Sequence, residues 1–163
     1  MQTYTKQASR FTVTRTLHCI DAENLSGASL VLAPRLSAMY ANYREHVEVG
    51  PMDQTIVSAS HYNALAVGVS WPEGRYRWRS GENGADLELI SAVKDQVQQS
   101  KFDRVVLASG DGIFGDLVVW LKSRGIHVTV VGLAGAISTN LRFLADKVVV
   151  LDGVATRTFG MGA

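Results

Sequence analysis

The stretch RVVLASGDGIFGDLVVWLKSRG, residues 104–125, decides how the chain folds. Its first five residues form a continuous apolar run, the pattern of a central strand covered on both faces. Ser109, Gly110 and Asp111 interrupt that run. Apolar positions at helical spacing then predict a helix over 114–124, closed by Gly125. Strand, polar turn, amphipathic helix is the unit of an α/β fold, and the rest of the chain is read for copies of it.

Copies occur on both sides. Downstream, 128–131 reads as a strand, 138–144 as a helix and 148–151 as the last strand. Upstream, 16–20 reads as the first strand, ending at Asp21. A helix runs from Pro34 to about Arg44, with Leu36, Met39, Tyr40 and Tyr43 on one stripe. Residues 55–59 form a second strand and 63–69 a brief helix before Trp71-Pro72. Residues 75–79 (RYRWR) alternate with period two, as a strand does. Residues 85–98 read as a helix with Leu87, Ile90, Val93 and Val97 inward. Such an order demands a mostly parallel sheet with right-handed crossovers and helices on both faces, a doubly wound three-layer α/β/α domain. The expected division is an extension over 1–15, one domain over 16–152 and a tail over 153–163.

Bulk properties exclude several classes. The 163 residues are 47% hydrophobic and 19% charged, with 16 Lys and Arg against 15 Asp and Glu. A net charge of +1 gives no global pull toward nucleic acid or membrane, so any such partner is read from local patches. One cysteine, Cys19, rules out an internal disulfide framework and reads as a small buried filler. No apolar run approaches a membrane span, and the first residues lack a signal-peptide core, so the expectation is a cytoplasmic protein. Apolar faces around Trp120 and Tyr40 are read as core, with a homodimer surface as the alternative.

In open parallel sheets, ligands bind outside the carboxyl ends of the strands. Asp21 and Asp111 fall there. Either alone reads equally well as a helix cap. Together, on neighbouring strands about 4.8 Å apart, they repel unless a cation or a shared proton intervenes. Asp86 opens the 85–98 helix, where the helix dipole alone favours an acid. Oxygen ligands without nearby His or Cys suit Mg2+ or Mn2+ rather than zinc.

The segments IDAENL, GADLEL, LASGDGIF and WLKSRGIHVTVVG, with Ser138, Leu141, Ala145 and Asp146 after them, together resemble the NYN domain family, the bacterial branch of the PIN-like nucleases. The resemblance covers about residues 16–151. It implies that Asp21, Asp86 and Asp111 hold one or two divalent ions, that Asn24 shapes the same site, and that Ser109 is the small hydroxyl beside the metal. Asp146 resembles the family's late aspartate and is carried as a further ligand candidate. The implied reaction is metal-dependent hydrolysis of an RNA phosphodiester.

This chain departs from the family pattern at two carboxylate positions, now Ile113 and Ala92. Asp116 and Glu23 are the acids that could compensate, whereas Glu88 points away from Asp86 around the helix. In RYRWR, Arg75, Arg77 and Arg79 share one face and form a candidate RNA track, with Trp78, Tyr76 or Trp71 available to stack on bases. An edge strand whose charges deter aggregation is the alternative. Arg35, Arg44 and Arg15 read as scattered surface charges. Two rival functions remain: a catalytically weak relative that binds RNA or protein, and a metal-dependent phosphohydrolase. The latter lacks an Asp-x-Asp after the first strand, and Ser109–Gly112 lacks the spacing and lysine of a phosphate-binding loop.

Overall fold

Among the described residues strand and helix alternate, and six strands pair into one all-parallel sheet. The computed structural model describes residues 13–152, so the expected tail and most of the expected N-terminal extension lie outside the described residues. The strands are β1 (Thr16–Asp21), β2 (Gln54–Ala59), β3 (Arg75–Trp78), β4 (Arg104–Ala108), β5 (His127–Leu133) and β6 (Lys147–Leu151). Six helices connect them: α1 (Ala22–Ser26), α2 (Ala33–His46), α3 (Ala64–Ser70), α4 (Gly84–Gln99), α5 (Gly115–Ser123) and α6 (Thr139–Leu144). The strand order is β3-β2-β1-β4-β5-β6.

That order explains the layers. The chain winds outward from β1 to β3, then returns through α4 and winds the other way from β4 to β6. Right-handed crossovers in opposite directions put the two sets of helices on opposite faces. Accordingly the core divides in two. Leu17, Cys19, Val105 and Leu107 pack under Leu89 and Val93 of α4 and Leu117 and Leu121 of α5. Ile20, Val57, Val106 and Ala108 pack under Leu36, Met39 and Tyr43 of α2, with Val67 and Trp71. Cys19 is buried filler, as its apolar surroundings suggested. Tyr40 meets the Trp71 ring edge-on within the second cluster.

Two expectations need correction. The inner face of α4 is Ala85, Leu89, Ala92 and Val93, whereas Leu87 is 43% exposed. The start of the helix sets this phase: Gly84 seats on the chain at Arg79, where a Cβ would come 2.9 Å from the Arg79 carbonyl oxygen. Trp71, offered above as a base-stacking residue, is buried between the α2 aromatics. Among the described residues, no helix is long and apolar enough to cross a membrane.

Candidate acidic cleft at the strand ends

The sheet order reverses between β1 and β4, and side chains at that crevice are bound to one another. Asp21 ends β1 and caps α1, its Oδ1 accepting the Asn24 backbone N–H at 3.2 Å. Its Oδ2 accepts the Ser109 hydroxyl at 2.9 Å, from the segment just beyond β4. The Ser109 Oγ in turn accepts the Asp111 N–H at 3.2 Å, and Asn24 Oδ1 accepts the Gly110 N–H at 2.9 Å. Gly110 must be glycine here, because a Cβ would run into the Ala136 carbonyl. Asp111 caps the short turn Gly112–Phe114, its Oδ1 accepting the Ile113 N–H at 3.0 Å. The capping role that the sequence allowed for Asp21 and Asp111 is therefore real, and each carboxylate keeps lone pairs for other partners.

These residues open onto a cleft of about 410 Å³ lined by Asp21, Glu23, Asn24, Asp86 and Asp111, with Gly27 and Leu133 on its walls. Asp86 reaches it from the first turn of α4. Glu23 is anchored at one oxygen only: Oε1 accepts the Ser60 N–H at 2.8 Å and the Asn63 amide at 2.7 Å. Four carboxylates facing one cleft cannot all stay ionised at no cost. Asp21 is 2% exposed, and its burial, followed by the charge of Asp86, pushes its pKa up to about 7. Burial and the charge of Asp111 raise Asp86 as well, so the two carboxyls compete for one proton.

The donor set suits a hard divalent ion. All its donors are oxygens, and adding a cation relieves the repulsion that now falls on a shared proton. Ser58 lies beside Asp21 in the sheet register, is fully buried, and has no hydrogen-bond partner for its Oγ among the described residues. That hydroxyl is not part of the cleft lining. Among the described residues, no three His, Cys, Asp or Glu side chains stand close enough together to hold one ion as they are placed, so a bound ion would draw these carboxylates inward.

Other candidates lie elsewhere. Asp146 is at the opposite, amino end of the sheet: Oδ2 accepts the Val128 N–H at 2.8 Å and Oδ1 pairs with Lys122 at 3.1 Å. That backbone bond, ahead of Lys122, holds its carboxyl below the usual range, and it cannot reach the cleft. Asp116 is exposed and outside the cleft lining. Ala92 belongs to the core, six residues and about 9 Å along α4 from Asp86, and is not part of the cleft lining. Ile113 packs against the same core.

Strand β3 is an edge, as the basic face suggested. Arg75 donates to Gln96 of α4 at 3.0 Å, Arg77 and Arg79 are exposed, and Trp78 stacks on Tyr76 at 5.3 Å. Both rings pack against the second core cluster, which leaves Trp78 half-buried rather than presented as a platform.

The NYN domain family matches residues 19–152. Over 69 residues the chain is 33% identical to the low amplitude and bright protein LabA of Synechococcus elongatus. That match covers 42% of this chain and 36% of LabA, little more than a third of that relative's length. A crystal structure of a protein of unknown function, VPA0982 of Vibrio parahaemolyticus, superposes with a TM-score of 0.60. The superposition covers 85% of this chain and 93% of that one at 20% identity, a likeness that speaks for the fold.

Proposed function

The chain belongs to the NYN domain family, a PIN-like nuclease-type fold, and from that premise we propose that it is a divalent-metal-dependent ribonuclease. The observation that carries this reading is the convergence of Asp21, Glu23, Asp86 and Asp111 on one open cleft at the β1–β4 crevice. Asp21, Asp86 and Asp111 would hold Mg2+ or Mn2+. Such an ion supplies neutralisation of the scissile phosphate and a more acidic water.

The chain's own residues do the rest. The Ser109 hydroxyl donates to Asp21 Oδ2 and so, with the Asn24 N–H on Oδ1, holds the carboxylate's orientation. Asn24 holds the Gly110 amide, which keeps the Asp111 loop against β1. Asp21 and Asp86 would have to give up their shared proton to hold an ion, so occupancy would rise with pH. Glu23, tied at Oε1, keeps its second oxygen available to orient a water. The exposed arginines Arg77 and Arg79 belong to the same reading as an outer RNA track, and the site of action would be the cytoplasm.

The test is cleavage of mixed-sequence RNA with Mn2+ or Mg2+. Wild type should cut only with the ion, and Asp21→Asn should lose cutting. Absence of cleavage at every ion concentration would sink the proposal. The uncaged donor set and Ile113 favour one alternative, a module that holds RNA without cutting it. Binding without metal-dependent cleavage would select that alternative.

A further inference from the structure

The cleft presents four carboxylates to a substrate that would itself be a polyanion, so some cation must receive the strand beside the metal. Arg35 is placed to do so. A Cβ built on Gly27, a wall of the cleft, would lie 3.1 Å from the Arg35 Nη2 and 3.4 Å from Leu133 Cδ1. The guanidinium therefore rests on the glycine at the cleft rim, and Gly27 holds the left-handed backbone, φ 74°, that closes α1 there.

Among the described residues Arg35 has no ion pair or side-chain hydrogen bond. Arg44 is engaged with Glu73, Arg75 with Gln96, and Arg124 with the Trp120 ring, its guanidinium carbon 3.7 Å from the ring centre; Arg77, Arg79, Arg104 and Arg142 are as free as Arg35 among the described residues, but only Arg35 lies against a wall of the cleft. Helix stability does not call for it either. Arg35 sits in the first turn of α2, where a cation opposes the helix dipole, and no acid offsets it in that turn.

We propose that Arg35 is the backbone-binding residue of the cleft, donating two N–H groups to a phosphodiester of a single strand whose neighbouring phosphate faces the carboxylates. This rests on the nuclease reading above. It brings the strand into the cleft over Gly27 and Leu133, with the β3 arginines left as an outer track.

The experiment measures anisotropy of a fluorescein-labelled, mixed-sequence single-stranded RNA on the full chain, with Ca2+ in place of Mg2+ and KCl varied. One phosphate contact on a single strand contributes about 0.7 to the slope of log affinity against log salt. Arg35→Gln should lower the slope by that amount. The affinity drop between about 50 and 200 mM KCl should become roughly 2.5-fold smaller. Arg35→Lys, which keeps the charge, should restore the slope. Wild-type binding with an unchanged slope in Arg35→Gln overturns the inference and leaves the nuclease reading standing. A slope loss in Arg77→Gln but not in Arg35→Gln overturns it too. If wild type does not bind the RNA, the ribonuclease reading fails and this inference fails with it.

Discussion

Replacing Asp21 with Asn should stabilise the metal-free protein at neutral and alkaline pH, although it removes a buried side chain's charge from the candidate site. The carboxyl ordinarily titrates at 3.8 and is pushed up to about 7 here, first by burial and then by Asp86. Keeping it ionised in the fold therefore costs up to about 4 kcal/mol. The Asn side chain can still accept the Asn24 N–H, but its amide would donate to Ser109 Oγ and leave that hydroxyl's proton unpaired, a loss of about 1 kcal/mol. Because the shift belongs to the Asp21–Asp86 pair, a net gain of about 2–3 kcal/mol is the realistic expectation. For 163 residues that is about 5–10 °C in Tm.

The sign with pH follows from the raised pKa. In the folded protein Asp21 binds its proton more tightly than in the unfolded chain, so wild-type stability falls as pH rises from about 4 to about 7. The advantage of Asp21→Asn should thus be absent or reversed below pH 4, grow through that window, and level off above it. Thermal melts in EDTA across the pH range measure it. Repeating them with Mn2+ should raise the wild type and leave Asp21→Asn where it was. An Asp21→Asn protein less stable than wild type at pH 8 in EDTA, or a gap that ignores pH, refutes the reasoning.

Three other substitutions probe the architecture. Asp146→Asn weakens the cap on the Val128 N–H and the Lys122 pair, so it should cost about 1 kcal/mol in urea melts while leaving the Mn2+ midpoint unchanged; a shifted midpoint would return Asp146 to the site. Gly110→Ala drives a methyl into the Ala136 carbonyl, and should lower Tm and weaken Mn2+ binding together, because the Asp111 loop must move. An unchanged Mn2+ titration would show that the loop yields without disturbing Asp111. Asn63→Ala removes bonds to Glu23, Ser29 and the Val31 N–H at a buried position, and should cost about 2–4 kcal/mol by denaturant unfolding. A loss under 1 kcal/mol would mean that this network is replaced by water.

Much of the site was legible because strand ends are legible. Asp21 and Asp111 follow apolar runs, and in parallel sheets that is where ligands bind. Asp86 had no such signal, since an acid in a first helical turn is ordinary. Its place in the cleft came from the resemblance and is matched by the geometry. Asp146 was misread because a matched motif residue does not say which end of the sheet it occupies. Ser58 went unseen for a related reason: its closeness to Asp21 exists only through the β1–β2 register. Arg35, read as one surface charge among several, acquires its position only when α2 folds back over Gly27.

The sequence by itself determined what is local. Apolar runs, helical spacing and Gly or Pro stops depend on a few neighbouring residues, so the strands, the longer helices, their order and the α/β architecture followed from them, whereas the short α1 did not. Only the tertiary structure decided which strands are neighbours, which face Leu87 takes, and which charges meet. Those outcomes depend on pairing residues as far apart as Asp21 and Ser109, and on close approaches at Gly84, Gly110 and Gly27. Electrostatics amplifies the difference, because a carboxylate's pKa is set by burial and by neighbours remote in sequence. Asp21 reads as an ordinary strand-end acid in the chain, and becomes a proton-sharing partner of Asp86 only once the sheet and α4 bring the two together.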